Sequence, residues 1–106
     1  MTLEELNSII ENEMGVLLYF LGENCNVCQA LRPKFKELFS SEFPKIKQIY
    51  IDAQQNSEIS AYFQVFSIPT IIVFLGGKEF LREGRTVSLH QLSQQLQRPY
   101  NLLVDN

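Results

Sequence analysis

Six consecutive apolar residues, Val16-Leu17-Leu18-Tyr19-Phe20-Leu21, constrain this chain more than any other stretch. A strand with one wet face alternates apolar and polar side chains. An unbroken apolar run must instead be covered on both faces, which marks a central strand in an α/β layered fold. A second run, Ile71-Ile72-Val73-Phe74-Leu75, repeats the pattern. Directly after the first run, and directly before a helical apolar pattern, lie the chain's two cysteines, spaced as Cys25-Asn26-Val27-Cys28.

The remaining elements follow from periodicity and punctuation. Thr2-x-x-Glu5 is a capping box, and Leu3, Leu6, Ile9 and Ile10 form one stripe, which predicts a helix over 3–13 ended by Gly15. Cys28, Leu31, Phe35 and Leu38 recur at helical spacing and predict a helix over 26–41. Pro33 inside it removes one backbone hydrogen bond and should bend the axis. Residues 46–51 read as a second strand ended by Asp52, and 57–63 as a short helix. Gly76-Gly77 signals a hairpin into a more polar edge strand over 78–83, with Gly84 at a bulge or turn. Ser88-x-x-Gln91 caps a last helix carrying Leu89, Leu92 and Leu96, which should end before Pro99 and leave 100–106 as a tail. The order is α-β-α-β-α-β-β-α. An early strand–helix–strand unit implies a right-handed parallel crossover, and the hairpin makes the last pair antiparallel. The expected fold is α/β, a four-stranded mixed sheet with helices on both faces, as one domain over 1–106.

Composition narrows the function. The 106 residues are 45% apolar and 20% charged, with a net charge of −3. The nine Lys and Arg are scattered, so nucleic acid is not an expected partner. No transmembrane run is present, and no membrane association is expected. The N-terminus is acidic and amphipathic and lacks the positive flank and apolar stretch of a signal peptide. The expected location is the cytosol, where thiols are kept reduced and a C-x-x-C is more often catalytic than structural.

Two thiols three residues apart at a helix start lie within reach of each other, so a disulfide between them can open and close without refolding. The helix N-terminus favours thiolate over thiol. A thiolate attacks a disulfide, and a neighbouring thiol resolves the product, which suits dithiol–disulfide exchange. Two other readings stand beside this one. A zinc or iron–sulfur site normally takes four protein ligands. Here only Cys25, Cys28 and the distant His90 are on offer, so a metal site would need a second chain. A purely structural bridge would close so small a loop that it constrains the unfolded chain little.

Taken together, Cys25-x-x-Cys28 between a buried strand and a helix, Pro33 five residues on, Ile68-Pro69-Thr70 opening a strand, and Gly76-Gly77 followed by Gly84 resemble the thioredoxin family over nearly the whole chain. The resemblance implies a thioredoxin-like fold and a thiol–disulfide oxidoreductase, a reductant of disulfide-containing cytosolic proteins. It implies Cys25 as exposed nucleophile and Cys28 as buried resolving thiol. Pro69 would be cis and pack on the disulfide, and the backbone of Ile68 would pair with a substrate segment as an added strand. Asn24, Val27, Ser67 and Gly84 would complete the substrate-binding surface. No bound cofactor or metal is implied; a flavin-dependent reductase using NADPH would reset the pair. The alternative is a non-catalytic binding or assembly module that uses the groove near Pro69.

The departures from the family pattern are specific. Asn26-Val27 replaces the commonest Gly-Pro, Asn24 replaces the usual tryptophan, and Tyr19 stands where a buried acid usually assists the resolving thiol. The family's first edge strand is missing. His90 reads as a helix-surface residue, Glu23 as a charged neighbour of the motif, and Asp52 as a turn residue. Phe63, Phe66, Phe74 and Phe80 read as core or groove packing.

Overall fold

The computed structural model describes residues 1–105. Its elements are α1 (Leu3–Asn12), β1 (Gly15–Leu21), α2 (Asn26–Glu42), β2 (Ile46–Asp52), α3 (Ser57–Tyr62), β3 (Thr70–Leu75), β4 (Lys78–Glu83) and α4 (Leu89–Val104). The sheet order is β2-β1-β3-β4. β1 runs parallel to β2 and antiparallel to β3, and β3 runs antiparallel to β4. This is the four-stranded mixed sheet of a thioredoxin fold.

The two apolar runs occupy the two inner strands, where each face meets helices. Val16, Leu18, Phe20, Ile72 and Phe74 pack with Leu6, Ile10, Ile59 and Phe63 from α1, α3 and the residue after it. The alternate residues Leu17, Tyr19, Ile71 and Val73 pack with Phe35, Phe39, Leu92 and Leu96 from α2 and α4. Period-two alternation therefore sends Tyr19 to the side of the sheet that carries the cysteine helix. Among the described residues nothing pairs with the outer edge of β2.

Local chemistry fixes the ends. The Glu5 N–H donates to the Thr2 hydroxyl at 3.1 Å, and the Thr2 N–H donates to the Glu5 carboxylate at 2.8 Å, so the capping box forms. Gly76 and Gly77 take φ of 58° and 81°, the left-handed values that a tight hairpin requires.

Three expectations need correction. α4 does not stop before Pro99 but continues to Val104, so 100–104 is helix and not tail; Asn106 lies outside the described residues. Pro99 withholds one donor from the Gln95 carbonyl, but Tyr100 anchors the next turn. Its ring meets Phe43 edge-on at 5.1 Å, and its hydroxyl accepts from the Lys45 N–H at 3.0 Å. Gly15 does not end α1. It opens β1, where a Cβ would come 2.9 Å from Ile46 Cγ1. Gly84 opens a turn, as expected: its carbonyl accepts from the Val87 N–H at 3.1 Å, while a bulge in β4 falls at Phe80, between the pairs Phe74–Glu79 and Val73–Leu81. Phe63 and Phe74 are core, but Phe80 is 42% exposed and Phe66 89% exposed.

Candidate active site

Three chain segments leave the sheet at the same end. Phe20 pairs with Thr70, so the link from β1 to the cysteines lies beside the segment that enters β3. Ile71 pairs with Glu83, which brings Gly84 to the same end.

Cys25 and Cys28 are joined as a disulfide, with Cα atoms 5.3 Å apart. Cys25 is the N-cap of α2, and its sulfur accepts from the Cys28 N–H at 3.2 Å. A helix start leaves several N–H groups without partners, and a Ser or Asp oxygen usually takes one of them. Here a sulfur takes it. The first turn of α2 contains no acidic residue to offset the positive end of the helix. Cys25 is half-buried, whereas Cys28 is 1% exposed. A thiolate at Cys25 would thus be stabilised by a backbone donor and the helix dipole, and remain open to attack from outside.

The neighbours of the pair are polar. Asn24 is exposed, at φ of 58°, a left-handed conformation that asparagine tolerates better than most side chains. Asn26 is exposed and Val27 half-buried. In the segment that enters β3, the Ile68–Pro69 bond is cis, as the resemblance implied, and Pro69 is buried. Ile68 packs over the link between β1 and the motif: a Cβ on Gly22 would lie 2.7 Å from Ile68 Cδ1. The Thr70 hydroxyl donates to the Ser67 carbonyl at 2.6 Å. Among the described residues the Ile68 backbone groups form no backbone hydrogen bond within the chain. A Cβ on Gly84 would sit 3.9 Å from the Pro69 carbonyl oxygen, an ordinary van der Waals contact, so Gly84 lies next to Pro69 without the packing there requiring a glycine. Ser67 and Gly84 share a shallow recess with Gln64, Phe66 and Arg82. Ser67 and Ile68 line another with Ala53, Gln54 and Val65. Asn24 and Val27 line neither.

Beneath the pair, the fully buried Tyr19 donates its hydroxyl to the Cys28 carbonyl at 2.9 Å. Its ring contacts Phe35 and Tyr50, each with centroids 5.4 Å apart, and Arg32 lies over the Tyr50 ring at 4.8 Å. Burial pushes the Tyr19 hydroxyl up to about 12; Tyr50 adds to this and Arg32 opposes it. The hydroxyl therefore keeps its proton at neutral pH and acts as a donor, not a base. Sequence reasoning identified Tyr19 as a replacement for an acid but not its acceptor. A hydroxyl in an otherwise hydrocarbon strand was the available signal, since a buried hydroxyl needs a partner. Arg32, four residues past Cys28 on the same helix face, was also missed.

His90 is exposed on α4, beside Glu37 and Glu42 of α2, far in sequence from the cysteines. Among the described residues no three His, Cys, Asp or Glu side chains group closely enough to hold a metal ion.

The family model described as Thioredoxin matches residues 1–98. The thioredoxin-like protein YdfQ of Bacillus subtilis is 35% identical over 101 residues, covering 95% of this chain and 89% of that one. A thioredoxin from Rickettsia bellii is 29% identical over 83 residues, covering 78% and 76%. Among solved structures, a mutant thioredoxin from Halobacterium salinarum superimposes with a TM-score of 0.80 at 22% identity, covering 94% and 86%. The oxidised thioredoxin of Plasmodium falciparum gives 0.78 at 24% identity, covering 91% and 93%.

Proposed function

The chain belongs to the thioredoxin family and is a thiol–disulfide oxidoreductase, and on that premise we propose that it reduces protein disulfides in the cytosol through Cys25 and Cys28. The observation that carries this reading is the asymmetry of the pair. Cys25 combines access with a backbone donor on its sulfur, and Cys28 is shielded.

The Cys25 thiolate attacks one sulfur of the substrate disulfide. A mixed disulfide forms, and the first substrate thiolate leaves and takes a proton from water. Cys28 gives up its proton, and its thiolate attacks the Cys25 sulfur. The mixed disulfide breaks, the second substrate thiol departs, and the intramolecular disulfide remains. Two electrons have passed from the dithiol to the substrate. The free backbone groups of Ile68 accept the substrate segment as an added strand, beside Pro69 and Ser67. Gly84 borders that groove next to Pro69, and Asn24 and Val27 border it from the motif side. No bound cofactor is required.

A flavin-dependent reductase using NADPH restores the dithiol. A bifunctional thioredoxin reductase/thioredoxin of Mycobacterium leprae supports this choice of donor: it is 30% identical over 89 residues, which are 19% of its length. No helix of the described residues is long and apolar enough to cross a membrane.

The alternative, a non-catalytic binding module, draws its support from Tyr19 in the place of the buried acid. Insulin reduction with dithiothreitol as donor separates the two. Catalysed precipitation of the insulin chains, with a measurable two-electron potential, is the expected result. A protein whose cysteine pair cycles with dithiothreitol yet leaves insulin intact would support the binding module instead.

A further inference from the structure

Phe66 is the most exposed large apolar side chain of the described residues, with 89% of its surface in water. It is not at the tip of a loose loop. Val65 before it is buried, and its N–H donates to the Ser60 carbonyl at 2.8 Å. Gln64 is held at φ of 56°, and its carbonyl accepts from Arg82 Nη1 at 3.4 Å. On the other side, the Ser67 carbonyl accepts from Thr70, and Pro69 is buried. The backbone is pinned on both sides while the ring is left in water, forgoing the gain that burial gives an aromatic side chain.

The position of this ring connects it to the redox pair. Phe66 is two residues from Ile68, whose side chain lies over Gly22, and Gly22 is three residues from Cys25. Phe66 borders two recesses: the one on the Ile68 side is lined by Ala53, Gln54, Ser60, Val65 and Ile68 and contains no charged side chain, and the other carries Arg82 and Glu83. Across the disulfide, Asn24 offers a polar amide and no apolar surface. On the motif side only the half-buried Val27 adds apolar surface, so the larger apolar contact available to a bound segment lies on the Ile68 side.

We infer that Phe66 is a specificity-determining residue: it receives a large apolar side chain of the substrate segment that runs past Ile68. This rests on the reductase reading above. The occupant is an extended segment of the disulfide-bearing protein. Two residues of extended chain span roughly 7 Å, so the matching side chain lies about two or three residues from the attacked cysteine. A side chain that enters the uncharged recess on the Ile68 side of the ring is selected to be leucine, isoleucine or an aromatic and not a charged one, which would lose water there without gaining a partner.

The test uses a set of disulfide-linked peptide dimers. A single leucine is moved through the three positions on either side of the cysteine, in a background of serine and glycine. Second-order rate constants for their reduction by the pre-reduced protein are measured by stopped flow, for wild type, Phe66→Leu and Phe66→Ser. Wild type should prefer a leucine at one or two positions by roughly tenfold over the all-serine dimer, the scale of a modest apolar contact. That ratio should fall to near one in Phe66→Ser and stay intermediate in Phe66→Leu. A wild type that reduces all dimers at one rate, or a preference that survives in Phe66→Ser, overturns the inference and leaves the reductase reading intact. A wild type inert towards every dimer overturns both.

Discussion

The region under the disulfide and the rim around it are built on opposite terms. Underneath, Tyr19 is fully buried, its hydroxyl is spent on the Cys28 carbonyl, and Phe35 and Tyr50 pack against its ring. Around the rim, the backbone of Ile68 has no partner among the described residues, Asn24 and Phe66 face water, and the recesses are shallow. The contrast separates two jobs. The buried side positions the resolving cysteine without supplying a base. Thiolate chemistry at Cys25 then rests on backbone, through the Cys28 N–H and the helix start, and the proposed recognition rests on the rim, through the Ile68 backbone and the side chains beside it.

The strongest way to break this division is to put a base underneath. Tyr19→Asp should cost roughly 3–5 kcal/mol of stability, because it removes a packed ring and buries a carboxyl. In the surviving folded protein, resolution of the mixed disulfide near neutral pH should quicken. Proton-transfer assistance is worth roughly 10²–10⁴-fold for harder cases, and thiols need less, so the gain should be at the low end or below. Urea denaturation measures the first effect and stopped-flow reduction of a model disulfide the second. A folded variant with no gain in rate would mean that another group handles the proton.

A second effect, of intermediate size, lies at high pH. Burial raises the Tyr19 hydroxyl to about 12, above the ordinary value of 10. A group whose pKa is raised on folding stabilises the protein fully below its unfolded value and loses that contribution as pH climbs through the folded one. Stability attributable to Tyr19 should therefore be flat below pH 10 and fall between 10 and 12, by roughly 3 kcal/mol in all. Denaturation curves across that window should show this slope in wild type and a shallower one in Tyr19→Phe. The smallest effect sharpens the comparison at neutral pH. Tyr19→Phe deletes one hydrogen bond and should cost about 1 kcal/mol, while the pH dependence of activity between 6 and 9 stays that of the thiols. An inflection in that range that disappears with the hydroxyl would give Tyr19 a titrating role.

The layered fold was legible because its signals are local. Two unbroken apolar runs, a capping box, a Gly-Gly turn and helical stripes each fix an element without reference to distant residues, and the runs proved to be β1 and β3. The cysteine pair at a helix start and the proline before β3 were legible for the same reason. What was hidden depends on contacts remote in sequence. Pro99 reads locally as a stop, yet Tyr100 carries the helix past it through Phe43 and Lys45, the latter 55 residues away. Gly15 reads as a helix end, but the need for it comes from Ile46 on the next strand. Phe66 looks like any apolar residue in sequence, and only the pinned backbone of 64–70 turns its ring to water. Tyr19 was seen as a departure, but its acceptor was set by which face of β1 it takes.

The central claim is that backbone at the start of α2 makes Cys25 the reactive thiol while Cys28 waits underneath. Brief alkylation of the reduced protein with iodoacetamide across pH 5–9, read by peptide mass spectrometry, tests it most directly. Cys25 should label first at every pH, with a midpoint below the value of about 8.5 for an unperturbed thiol, and Cys28 should stay protected. Equal labelling of the two, or faster labelling of Cys28, would contradict it.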